Sequence, residues 1–241
     1  MNRRSRHLKL LKVLLGPVLL IQGWWVRKRT PVLPEPVKQP SGTCGRGPAL
    51  SLLLVGDSSA AGVGANTEAE SLLGQLITRL KPHHTLSYTM LAKTGQTTAD
   101  VLAELEQTVA KPYDVVISAL GVNDVTSQVP VDRWLQQQQK LIACLQGKFT
   151  ARLVILSGLP PVGEFPALPW PLNAFLGACA DQLDHCLTQM CEEHRGVCFH
   201  SLRGYPDTAT AATDGFHPGP DVYRHWAEYL VTTIGAHHQA D

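Results

Sequence analysis

The chain has 241 residues, 44% of them hydrophobic and 17% charged. That balance fits one sizeable folded domain and argues against an intrinsically disordered chain. The net charge is +1, but Arg3, Arg4, Arg6, Lys9, Lys12, Arg27, Lys28 and Arg29 all precede the first acid, Glu35, leaving the rest of the chain at −7. A body of that charge gives no reason to expect a nucleic-acid partner.

In chain order, Val13 to Val26 is mostly apolar and broken by Gln22. Its uninterrupted part is near the length of a signal h-region. Counted from Leu8, with Lys9 and Lys12 snorkelling, it reaches 19 positions. Trp24 and Trp25 stand where interfacial aromatics belong, and no A-x-A cleavage site follows. Residues 1–29 therefore read as an uncleaved signal anchor or membrane-associated segment. The heavier positive charge before the run leaves the domain on the extracytoplasmic, periplasmic-type side. The alternatives are secretion and an amphipathic helix lying on the membrane surface. Residues 30–48 read as a linker, because Pro31, Pro34, Pro36 and Pro40 disfavour helix and interior strand while Gly42, Gly45 and Gly47 add flexibility.

From residue 49 to 241 the pattern alternates. Apolar, β-branched runs near 50–55, 86–91, 114–119, 152–157 and 196–199 predict strands. Helical patterns fall at about 68–81, 98–109, 131–147, 172–194 and 220–235. Strands separated by helices of this length imply βαβ crossovers and a parallel sheet. Val115-Val116-Ile117 and Leu153-Val154-Ile155-Leu156 are continuous apolar runs, as strands covered on both faces require. The expected fold is a three-layer α/β/α sandwich around five parallel strands.

The six cysteines include no CxxC pair or Cys/His cluster with zinc spacing, so no structural zinc is expected, and most read as buried thiols. Gly62-Val63-Gly64 is only part of a dinucleotide fingerprint, with Thr67 where a third glycine belongs.

Chemistry-bearing residues stand at the ends of the predicted strands. Ser58 follows the first, Gly95 the second and Asn123 the third, while Asp214 and His217 come after the fifth. All carboxyl ends of a parallel sheet share one edge, so residues 159 apart in sequence can meet there. A serine hydroxyl at that edge is a nucleophile once a base takes its proton, and taken alone Ser58 could equally cap the following segment. His217 suits the base, and Asp214 can hold the imidazole tautomer from its other side. The backbone N–H groups of Ser58 and Gly95 and the Asn123 amide can serve as oxyanion donors. Asp124 reads as a structural residue ordering the loop around Asn123.

In Gly56-Asp57-Ser58, Thr94-Gly95-Gln96-Thr97, Gly121-Val122-Asn123-Asp124 and Asp214-Gly215-Phe216-His217-Pro218 the chain resembles the SGNH hydrolases, also called GDSL esterases and lipases. The resemblance covers about residues 50–235. It implies a flavodoxin-like sheet of strand order 2-1-3-4-5 and metal-free, cofactor-free ester hydrolysis. The substrate would be a small-molecule or lipid-like ester, and arylesterases, thioesterases, lysophospholipases and carbohydrate acetylesterases are all represented. The family leucine after the nucleophile is Ser59 here, a change expected to affect local packing behind Ser58. The loop from Leu159 to Pro171 is rich in proline and apolar residues. Val162, Phe165 and Trp170 are the residues in it expected to shape an acyl pocket.

Overall fold

The computed structural model describes residues 3–206 and 209–240. The first helix, α1 (Arg3–Arg29), precedes strand β1 (Ser41–Gly45). The five expected strands follow as β2 (Ala49–Gly56), β3 (Thr85–Ala92), β4 (Val115–Ala119), β5 (Leu153–Ser157) and β6 (Val197–His200). They pair in parallel in the order β3-β2-β4-β5-β6, which is the flavodoxin-like order, and β1 joins the edge antiparallel to β3.

β1 corrects the expected linker. Ser41–Gly45 has no apolar alternation, but its backbone groups complete the open edge of β3 from Ser41 opposite Thr89 to Gly45 opposite Thr85. Gly42 passes under the Tyr88 ring, where a Cβ would lie 2.7 Å from the phenol oxygen.

The remaining helices are α2 (Leu72–Leu80), α3 (Thr98–Gln107), the single-turn α4 (Val122–Thr126), α5 (Val131–Gly147), α6 (Leu172–Glu192) and α7 (Pro220–Ala240). The period of two along β2 sorts them into layers. Leu50, Leu52 and Leu54 pack with Leu72, Leu73 and Leu76 of α2 and with Tyr223, Trp226 and Leu230 of α7. Leu53 and Val55 point the other way, into a core shared with α3, α5 and α6. Both faces of the central strands are thus closed, which is why β4 and β5 are buried at every position.

α1 lies on the α6 side. Leu19 and Val26 are buried in that core and Leu15 packs against it. The Gln22 amide latches the helix to the loop before α6: its Nε2 donates to the Trp170 carbonyl at 2.8 Å and its Oε1 accepts the Leu172 N–H at 3.2 Å. No helix among the described residues is long and apolar enough to cross a membrane. The apolar run forms a helix with one stripe docked on the domain.

All six cysteines are free thiols. Cys191 is buried and the other five are half-buried, so burial is less complete than expected.

Candidate active site

β2 ends at Gly56, where a Cβ would come within 2.4 Å of the Ala119 carbonyl of β4. Glycine lets the two strand ends close up, and the chain then turns sharply. The Ala61 N–H bonds the Asp57 carbonyl (3.0 Å), the Val63 N–H bonds the Ser58 carbonyl (2.9 Å), and the buried Tyr223 hydroxyl of α7 donates to the Val63 carbonyl (2.6 Å). The turn is pinned from both sides, and Ser58 Oγ is left at the carboxyl edge of the sheet.

Asp214 and His217 reach the same point from the loop before α7. Asp214 Oδ1 accepts the Phe216 and His217 backbone N–H groups (2.9 and 3.0 Å), so one carboxylate oxygen builds the turn. Its Oδ2 meets His217 Nδ1 at 2.5 Å, and His217 Nε2 lies 3.0 Å from Ser58 Oγ. Burial opposes the charge on Asp214, but the imidazole and the two backbone donors outweigh it and hold the pKa below the ordinary carboxylate value. The carboxylate stays ionised and fixes Nδ1 as the protonated nitrogen, leaving Nε2 to accept from Ser58. Gly64 lets the β2 turn approach closely. It sits at φ +99° with the Pro218 carbonyl where a Cβ would stand.

The expected oxyanion donors are placed differently from one another. Asn123, on α4, borders the cavity beside Ser58. Its Nδ2 donates to the Gln96 carbonyl at 3.0 Å and to Asp57 Oδ2 at 3.3 Å, joining the Gly95 loop to the nucleophile turn. Gly95 sits at φ +87° with open space over its α-carbon, next to Gln96, but it is not one of the residues that line the cavity. The loop it belongs to is anchored where it enters α3. Thr97 and Asp100 form a capping box at the start of α3. Buried Asp124 accepts from the Thr98 N–H (3.1 Å) and hydroxyl (2.8 Å), the structural role expected of it.

Two residues to which the sequence assigns no chemical role complete this corner. Asp57 Oδ1 accepts both the N–H and the hydroxyl of Ser59 (2.9 and 2.8 Å), while Oδ2 holds the Asn123 amide. Burial raises the Asp57 pKa against those hydrogen bonds. Ser59, expected to pack behind the nucleophile, borders the cavity and orients Asp57 instead. The only sequence signal for this was the hydroxyl standing where the family has leucine.

A cavity of about 440 Å³ opens at Ser58, Asn123 and His217. Its walls are mainly apolar, with Pro160, Pro161, Phe165, Tyr205, Val222 and Trp226 among them. Of the three expected pocket residues only Phe165 is in the wall. It packs edge-on against Phe216 (centroids 5.2 Å apart), which in turn packs edge-on against His217 (5.4 Å). Val162 is fully buried beneath the loop, and Trp170 is 78% exposed on the outside of the domain. A short 3-10 turn at Val162–Glu164 sends Val162 into the core, while Trp170 lies beyond it in the stretch that the Gln22 amide holds by the Trp170 carbonyl. Leu202, Tyr205 and Pro206, with Ala209, Thr210 and Ala211, supply much of the opposite wall. They were missed because the segment has neither periodicity nor a motif. Among the described residues, no three His, Cys, Asp or Glu side chains come together as metal ligands.

The sheet order, the serine at the end of its central β2 strand and the histidine–aspartate pair ahead of the last helix define the class, a flavodoxin-like sandwich of the esterase type. The model of the GDSL-like lipase/acylhydrolase family matches residues 54–225, and the chain belongs to that family and is a carboxylic ester hydrolase.

No curated protein matches the chain in sequence. Solved structures do match in fold. A lipolytic protein of the G-D-S-L family from Veillonella parvula is 15% identical, with a TM-score of 0.60 over 76% of this chain and 97% of that one. Axe2, an acetylxylan esterase from Geobacillus stearothermophilus, is 21% identical, with a TM-score of 0.60 over 78% and 95%. A carbohydrate acetylesterase family member from Sinorhizobium meliloti is 16% identical, with a TM-score of 0.54 over 77% and 97%.

Proposed function

We propose that the protein hydrolyses carboxylic esters of small to medium acyl chains through an acyl-enzyme on Ser58. The observation that carries this reading is His217, bonded on one side to Ser58 and on the other to Asp214 at the mouth of a largely apolar cavity. Ser58 Oγ attacks the ester carbonyl carbon as its proton passes to His217 Nε2, and the carbonyl π pair moves onto oxygen. The Asn123 amide and the Ser58 backbone N–H stabilise that oxyanion, one such donor being worth about 2.7–4 kcal/mol in comparable enzymes. Collapse expels the alcohol oxygen, which takes the proton from His217. Water repeats the sequence on the acyl-enzyme, giving the carboxylic acid and restoring Ser58.

The wall favours an acyl chain over a sugar, because proline and aromatic side chains offer few partners for carbohydrate hydroxyls. Two of the structural neighbours act on acetylated carbohydrate by name, so an acetylated sugar is the specific competitor, with thioesters and lysophospholipids as nearer ones. A panel of nitrophenyl esters of increasing chain length, run beside acyl-CoA, a lysophospholipid and acetylated xylo-oligosaccharide, ranks them. We expect the highest kcat/KM on a short or medium nitrophenyl ester. A fluorophosphonate should label the protein but not Ser58→Ala. Absence of label on folded wild-type protein would favour the remaining reading, a catalytically inactive binding domain.

A further inference from the structure

Among the described side chains, the docked stripe of α1 includes Leu15, Leu19, Gln22 and Val26. Between Lys12 and Arg27 the helix has no charged residue, and Leu14, Val18, Leu20, Ile21, Trp24 and Trp25 are all exposed. That stretch is about 20 Å of helix with an apolar outer face. A contiguous apolar surface of this kind marks a docking site. Lys28 Nζ lies 4.8 Å from the Trp24 ring centroid and the Arg29 guanidinium 4.5 Å from that of Trp25, so the aromatic end of the face carries cations.

The face continues onto the domain. Gln22 holds the carbonyl of the exposed Trp170, and Trp25 shares a shallow hollow with Pro169. Pro166 borders that hollow and also the catalytic cavity. One loop therefore runs from the wall of the active site to the exposed patch.

We propose that the outer face of α1 and the Trp170 loop together dock on an anionic lipid surface, with the helix lying along it. Charge selects this occupant. Eight Arg and Lys residues and no acid lie within the first 29 residues, whereas the rest of the chain is net negative. Anionic headgroups attract such an arm, and indole rings beside cations suit the headgroup boundary. A second copy of the same helix would bring together two segments that each carry eight Arg and Lys and no acid. Crossing the bilayer would undock Leu19 and Val26 and strip Gln22 of both its partners.

The test uses the full chain in co-sedimentation with vesicles of phosphatidylglycerol and phosphatidylethanolamine, and separately of phosphatidylcholine alone. We expect partitioning to the anionic vesicles, at least tenfold weaker on phosphatidylcholine, reversed by added salt and released by an alkaline carbonate wash. The double variant Trp24→Ala/Trp25→Ala and the single Trp170→Ala should each lose several-fold in partitioning. Both should keep wild-type hydrolysis of a soluble nitrophenyl ester, which shows that they fold. Failure to bind anionic vesicles overturns the proposal, as does a carbonate-resistant pool, which marks a span. A dimer in which Trp24 is protected overturns it in favour of a second copy. Unchanged partitioning of Trp170→Ala removes the domain's share of the surface.

Discussion

Asn123 is caught between two acceptors, and this sets how the oxyanion corner works. Its amide nitrogen donates to the Gln96 carbonyl at 3.0 Å and to Asp57 at 3.3 Å. In the proposed mechanism the developing oxyanion displaces the weaker partner, Asp57, which Ser59 keeps in place by two bonds to its other oxygen. Replacing Asn123 by alanine should lower kcat by about 10²–10³-fold with little change in KM. Ser59→Ala should cost a smaller, several-fold amount in kcat, and the double variant should be no slower than Asn123→Ala alone, because both changes act on one donor. Fully additive losses in the kinetics of the four proteins would show that Ser59 does not act through Asn123. Phe165 is a separate matter of shape. Cutting it to alanine opens the wall and removes the edge contact on Phe216, so the chain-length optimum on the nitrophenyl panel should move to longer acyl groups while short-chain turnover falls.

At the scale of elements, the arm between α1 and β1 is tied to the loop that carries Gly95. The Glu35 carboxylate accepts the Thr94 N–H (3.2 Å) and hydroxyl (2.6 Å), and Thr94 is the residue before Gly95. Glu35→Ala should loosen the Gly95 loop and reduce kcat several-fold, and urea unfolding should shift little because these bonds are exposed. A large stability loss with unchanged kcat would make Glu35 a fold residue only. The elements that were legible in the sequence are those whose burial is written locally. β2, β4 and β5 are covered on both faces and read as unbroken apolar runs, and α5 shows its period over 131–147 with Trp134, Leu141, Ile142 and Leu145 buried. The motif residues Ser58, Asn123 and His217 were legible for a related reason, since parallel strands deliver their ends to one edge whatever the intervening sequence. β1 was not legible because its stability lies in backbone pairing to β3. α4 was not because one turn has no period. The docking of α1 was not because an apolar segment gives no sign of which stripe α6 will cover.

For the whole molecule, two buried groups set opposing responses to acid. His200, bonded to the Tyr205 hydroxyl, has its pKa lowered by burial from 6.5 to about 4. Between those values the unfolded chain takes up a proton that the folded protein refuses, so stability falls as pH drops. Asp124 has its pKa raised by burial from 3.8 to about 6, against the Thr98 hydrogen bonds. Over nearly the same window the folded protein takes up a proton that the unfolded chain does not, so stability rises as pH drops. Each contributes a slope of at most about 1.4 kcal/mol per pH unit, with opposite sign, and in the wild-type protein the two largely offset. Removing either one exposes the other. In urea unfolding from about pH 4 to 6.5, Asp124→Asn should lose stability on acidification more steeply than wild type. His200→Gln should lose it less steeply or gain. Three parallel profiles would refute the assignment of these two groups.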